Sequence, residues 1–119
     1  MILVGICLGL ASCKPAEPIT VDSTVKIYGT VFDFASGEPL PRVQVELWRY
    51  AEHDDQEDQI VASTYSGSDG QYEFILDKVS NQYYGIEAYR AGYYGNDEYD
   101  LMLSPGNTYN VDIVLIPLH

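Results

Sequence analysis

The sequence predicts an all-β domain, a seven-stranded antiparallel β-sandwich of two packed sheets with Greek-key connections. Three observations lead to that fold class. From Val25 onward apolar residues recur with period two, which sends successive side chains to opposite faces of a strand. Clusters rich in Gly, Pro, Asn, Asp and Ser interrupt the alternation at the short intervals typical of sandwiches. No window carries the 3.6-residue apolar spacing of an amphipathic helix.

The elements follow in order. In the first strand Val25, Ile27, Gly29 and Val31 share one face, and Lys26, Tyr28, Thr30 and Phe32 the other. Ala35-Ser36-Gly37-Glu38-Pro39 then turns the chain. Val43, Val45 and Leu47 alternate with Gln44, Glu46 and Trp48 in a second strand, and a polar loop covers residues 51–59. Residues 60–65 resume β character. Ser66-Gly67-Ser68-Asp69-Gly70 contains an Asp-Gly pair tolerant of positive φ and predicts a hairpin into a strand bearing Tyr72 and Phe74 on one face. Tyr84, Ile86 and Ala88 alternate next, the Gly92 region turns, and Tyr99, Leu101 and Leu103 follow. Finally Ser104-Pro105-Gly106-Asn107 leads into one last strand with Tyr109, Val111, Ile113 and Leu115.

A chain of 119 residues has room for one core, and its 46% hydrophobic residues, with 11 tyrosines, supply that core without staples. The net charge of -12, from 18 acidic and 6 basic residues, argues against nucleic acid and anionic membrane surfaces as partners. Binding phosphates requires clustered Lys and Arg to displace condensed counterions.

Residues 2–11 form an apolar run of about ten residues, half of the roughly twenty a helix needs to cross a bilayer. The length suits the apolar stretch of a secretory signal. Leu10-Ala11-Ser12-Cys13 resembles the lipobox of bacterial lipoproteins, although Met1-Ile2-Leu3 lacks the positive charge that usually opens a signal. The resemblance implies cleavage before Cys13 and attachment of lipid to its thiol. Two or three acyl chains anchor stably where one binds reversibly. Cleavage would discard Cys7 and lipidation would consume Cys13, so no disulfide framework is expected. The expected organisation is a signal peptide at 1–12, a lipidated Cys13 with an extended Pro-containing tether at 13–24, and the sandwich at 25–119.

Gly29-x-Val31-x-Asp33-x-x-Ser36-Gly37-Glu38-Pro39-Leu40, followed by Val43-x-Val45-x-Leu47, resembles the carboxypeptidase regulatory-like domain, a transthyretin-like (prealbumin-like) sandwich. Thr64, Asp69-Gly70-x-Tyr72-x-Phe74, Tyr84-x-Ile86-x-Ala88 and Gly92-Tyr93 continue the likeness in order, over residues 25–117. Two departures stand out. Arg42 occupies a position where the family usually has Gly, and the acidic loop is long. The resemblance implies a fold and a setting more than a reaction: such modules are appended to peptidases, outer-membrane transporters and adhesive surface proteins.

Candidate sites are few. Trp48, Tyr50, Tyr83, Tyr89, Tyr93 and Tyr94 are a candidate ligand surface, since outward tyrosines and Trp offer flat amphipathic faces to a sugar ring or a protein. Glu52, Asp54, Asp55, Glu57 and Asp58 crowd five carboxylates into one loop, where Asp54, Asp55, Glu57 and Asp58 are weak calcium candidates, with Asp97, Glu98 and Asp100 as a second group. A solvated loop is the simpler reading. With two histidines, His53 and His119, neither a zinc site nor a Ser-His-Asp system assembles readily. Ser66-Gly67-Ser68-Asp69-Gly70 lacks the carboxylates of an EF-hand. Hydroxyisourate hydrolases of the transthyretin fold are marked by strand histidines and a Tyr-Arg-Gly-Ser-like end, whereas this chain ends Leu115-Ile116-Pro117-Leu118-His119.

The expected function is therefore a non-enzymatic cell-envelope lipoprotein, held at the outer membrane by its lipid and facing the periplasm or the exterior. It would act as a binding, accessory or scaffolding module, with a nutrient transporter as one setting. The alternative expectation is a carbohydrate-binding surface lipoprotein using the exposed tyrosines.

Overall fold

A computed structural model describes residues 23–53, 55–80, 83–96 and 100–118. The signal segment, Cys13 and the tether as far as residue 22 lie outside the described residues, as do Asp54, Asp97, Glu98, Tyr99 and His119. Among the described residues the alternation becomes eight strands: β1 Val25–Asp33, β2 Gln44–Arg49, β3 Gln59–Tyr65, β4 Gln71–Leu76, β5 Tyr83–Tyr89, β6 Asp100–Met102, β7 Thr108–Asn110 and β8 Ile113–Leu115.

The first sheet is built on β1. One edge carries β4 antiparallel, from Val25 opposite Leu76 to Thr30 opposite Gln71. The other edge carries β7 beside residues 26–28 and β8 beside residues 31–33, both parallel. The second sheet runs β3-β2-β5-β6 and is antiparallel throughout, with a bulge where β3 passes Leu47 and Trp48.

Three expectations are corrected. The count is eight strands rather than seven, because the last predicted strand divides into β7 and β8 at Val111 and Asp112. There the Val111 carbonyl leaves the ladder, lies over Gly29 and accepts the Tyr72 hydroxyl at 2.6 Å, while the Asp112 carboxylate receives the Thr30 N–H at 2.9 Å. A Cβ on Gly29 would overlap that carbonyl oxygen, so only glycine fits. The first sheet is also mixed rather than antiparallel, since β7 and β8 run parallel to β1. Thirdly, the Asp69-Gly70 turn does not close a hairpin: β3 pairs with β2 and β4 with β1, so the turn carries the chain between sheets. Its bonds explain this. Gly67 N–H reaches the Gln71 carbonyl, and the Gly70 carbonyl receives the Val31 N–H of β1.

The core lies between the sheets. Val25, Ile27 and Val31 of β1, Tyr72 and Phe74 of β4, and Ile113 and Leu115 of β8 face Val45 and Leu47 of β2 and Tyr84, Ile86 and Ala88 of β5. Leu40, Val43 and Leu103 close it from the connections. Tyr72 and Phe74 meet edge to face at 5.8 Å between ring centroids. Each fully buried Val, Ile or Leu contributes roughly 1.5–3 kcal/mol of transfer free energy.

Candidate functional site

The outer faces of the two sheets differ. On the first, Lys26 pairs with Glu73 at 3.0 Å and lies over the Tyr28 ring, so its charges are matched. On the second, alternation buries Val45 and Leu47 and turns Gln44, Glu46 and Trp48 outward. Register then builds rows across the sheet: Tyr65, Gln44 and Tyr89; Ser63, Glu46 and Glu87; Ile60, Trp48 and Gly85. Tyr83 stands opposite Met102 at the far edge. Tyr65, Tyr83, Met102, Ile60 and Tyr89 are all exposed. Exposed residues in register make one aromatic, partly apolar surface.

Two carboxylates face each other in the middle of that surface, since Glu46 is directly opposite Glu87, an arrangement that costs stability unless both are solvated. Each receives hydrogen bonds. Gln44 Nε2 and Trp48 Nε1 donate to Glu46, both at 3.3 Å, and the Tyr89 hydroxyl donates to Glu87. Tyr50 lies across Gly85, where a Cβ would collide with its ring, so the aromatic covers a glycine that would otherwise expose backbone.

At one end of the same face is a cleft of about 400 Å³ lined by Arg42, Gln44, Tyr65, Tyr89, Arg90 and Tyr93, with Ala91 and Gly95. Arg42 has φ 59°, the one non-glycine residue with positive φ among the described residues. Left-handed backbone costs a non-glycine residue of order 1 kcal/mol and persists only where its surroundings over-determine it. Buried Ser66 supplies that constraint. Its Oγ accepts the Val43 N–H at 2.9 Å and donates to the Leu40 carbonyl at 2.8 Å, and its carbonyl accepts the Arg42 N–H at 3.0 Å. Within the same lining the Arg90 guanidinium lies 5.7 Å from the Tyr93 ring centroid. The Tyr93 hydroxyl donates to Asp33 Oδ2 at 2.7 Å, and Asp33 Oδ1 takes the N–H groups of Ala35 and Ser36. That Tyr93 bond is the main cause holding the Asp33 carboxyl below its usual value, with the backbone bonds and Arg90 adding to it against some desolvation. The same bond raises the Tyr93 hydroxyl.

Of the residues singled out by sequence, Trp48, Tyr50 and Tyr83 fall on the outer face and Tyr89 joins that face to the cleft. Tyr93 enters the cleft wall with its hydroxyl committed to Asp33. Tyr94 is exposed apart from them, its N–H bonded to the Ile116 carbonyl. In the acidic loop Asp55, Glu57 and Asp58 are exposed, and the Asp58 carboxylate closes the loop by accepting the Ala51 N–H at 2.8 Å. Among the described residues no three of His, Cys, Asp or Glu converge as metal ligands would. Sequence reasoning missed Arg42, Arg90 and Tyr65 as site residues. The available signal was Arg42 standing at a glycine position.

The model of the carboxypeptidase regulatory-like domain family matches residues 26–116. No curated protein matches the chain in sequence. Among solved structures the chain is similar to the C-terminal domain of the shaft pilin SpaA from Lactobacillus rhamnosus GG, with TM-score 0.55 and 13% identity over 80% of this chain and 98% of that one. It is similar to 5-hydroxyisourate hydrolase of Klebsiella pneumoniae, with TM-score 0.58 and 14% identity over 79% of this chain and 92% of that one. Hydroxyquinol 1,2-dioxygenase from Pseudomonas putida DLL-E4 gives TM-score 0.59 and 12% identity over 84% of this chain, which spans 58% of the dioxygenase's length. At such identities the likeness is one of fold.

Proposed function

The chain belongs to the carboxypeptidase regulatory-like domain family, and from that premise we propose that it is a non-enzymatic binding module of the cell envelope, presenting the outer face of its second sheet to a partner protein. One observation carries this reading. Tyr65, Tyr89, Trp48, Tyr83, Ile60 and Met102 share one sheet face, several of them about half exposed or more, on strands whose register fixes their spacing. Rigid aromatic side chains on a sheet are the anchors that protein interfaces favour. Lipid on Cys13 would hold the module at the outer membrane, where a nutrient transporter is one fitting partner. The pilin, hydrolase and dioxygenase neighbours lend a fold to this reading and no chemistry.

The test is in-cell crosslinking of tagged full-length protein followed by mass spectrometry, beside Cys13→Ala and Tyr83→Ala/Trp48→Ala variants. One envelope protein recovered with the wild type and reduced in both variants is the expected result. An identical crosslink pattern in all three sinks the reading.

A second reading, a carbohydrate-binding module, is favoured by a different observation. Tyr65 and Tyr89 flank the cleft at the end of this face, with the Gln44 side chain between them, which gives aromatic surface and hydrogen-bonding groups in one recess.

A further inference from the structure

The cleft concentrates positive charge in a chain that has little of it. Arg42 and Arg90 are two of 6 basic residues in the whole sequence, and both line one recess of a protein with net charge -12. Neither guanidinium is in an ion pair among the described residues. Asp33 is the carboxylate whose field reaches Arg90, but its oxygens are already taken by Tyr93, Ala35 and Ser36. Two guanidiniums lining one recess make it locally positive, and each presents five N–H donors suited to a planar oxyanion.

Backbone geometry points the same way. Every other described residue with positive φ is glycine: Gly37, Gly70, Gly92 and Gly106. Arg42 alone holds that conformation with a side chain, in a loop that Ser66 fixes through four hydrogen bonds. Glycine would satisfy the loop at less cost, so folding does not account for an arginine here. The loop sets that arginine on a recess it shares with Arg90, Gln44 and three tyrosines, Tyr65, Tyr89 and Tyr93.

We propose that the cleft binds the carboxylate of an acidic sugar, with Arg42 and Arg90 on the carboxylate and the ring against Tyr89 and Tyr65. Charge selects a carboxylate over a phosphate, because the field of 18 acidic residues opposes a dianion about twice as strongly as a monoanion. The tyrosines select a sugar over a bare anion, since their flat faces fit the CH face of a pyranose and their edges meet its hydroxyls. The volume of about 400 Å³ lies in the range of small-ligand sites. This inference rests on the carbohydrate reading and adds to it the sign and place of the charge.

The experiment titrates full-length, isotope-labelled protein in detergent with D-glucuronate, D-glucose and acetate, following backbone amides by NMR. Glucuronate is expected to shift the amides of Gln44, Tyr89 and Arg90 and to bind about tenfold or more tighter than either control, a difference of about 1.4 kcal/mol. Arg42→Gly and Arg90→Gln should each abolish that preference while leaving the dispersed β-sheet spectrum intact. Equal binding of glucose and glucuronate would overturn the charge assignment and leave the carbohydrate reading standing. Equal binding of acetate and glucuronate would remove the sugar instead. Shifts from none of the three, or a preference unchanged in both variants, would overturn the proposal outright.

Discussion

Gly29 on β1 and Arg42 in the loop before β2 both occupy positions where the backbone discriminates sharply between residue types, and they meet that demand in opposite ways. At Gly29 the Val111 carbonyl fills the space a Cβ would need, and the residue present is the one that fits. At Arg42 the backbone turns to φ 59°, and the residue present is one the conformation disfavours. The first region is accounted for by folding alone: it lets β7 and β8 share one edge of β1. The second is not, and a side chain kept against backbone preference on a ligand-sized cleft is where a binding role is to be sought.

Substitutions that exchange the two situations break the comparison most forcefully. Gly29→Ala pushes a methyl group into the Val111 carbonyl and displaces the Tyr72 hydroxyl bond, so urea melts should show a loss of about 3 kcal/mol or more. Ser66→Ala leaves the Val43 N–H and the Leu40 carbonyl without their partner in a buried place, a loss of about 2 kcal/mol by the same assay. Arg42→Gly should go the other way. Relief of left-handed strain, less the larger entropy glycine gives the unfolded chain, leaves a gain of up to about 1 kcal/mol. A destabilised Arg42→Gly would mean the arginine is there for the fold, and the contrast with Gly29 would vanish.

The smallest effect concerns pH. Asp33 has its carboxyl held low by the Tyr93 hydroxyl, so the stability from this bond is complete above the ordinary carboxylate value of about 3.9 and is lost as pH falls through the lower folded value. Tyr93 is raised by the same bond, so its share is complete below the ordinary phenol value of about 10 and is lost as pH rises through the raised one. Tyr93→Phe should therefore flatten both limbs of a plot of melting temperature against pH. A mutant curve parallel to the wild type at both ends would show that the bond contributes nothing.

Much of the fold was legible because alternation reports burial directly. Period two set Val25, Ile27 and Val31 on one strand face, Val45 and Leu47 on another, and Tyr84, Ile86 and Ala88 on a third, and all of them are buried. Tyr83 and Tyr89 were placed outward by the same rule, and both are exposed. Alternation is silent on which sheet a strand joins, and for that reason the Asp69-Gly70 turn read as a hairpin when it is a crossing between sheets. It is equally silent on a carbonyl leaving the ladder, which is why β7 and β8 read as one strand. The cleft was illegible for a related reason. Arg42 and Arg90 stand far apart in sequence, and they line one cleft because Gln44 pairs with Tyr89 in the β2–β5 ladder, a register no local pattern encodes. The glycine-position arginine was visible as a departure, but its meaning depended on the φ angle and on what lay across the sheet.

The measurement that tests the account most directly is site-specific photocrosslinking in the native envelope, with one probe at Tyr83 on the second sheet and one at Ile75 on the first, both exposed. A discrete crosslinked adduct from position 83 and none from position 75 is the expected result. Adducts from position 75 alone, or the same adducts from both, would contradict the assignment of binding to the second sheet's outer face.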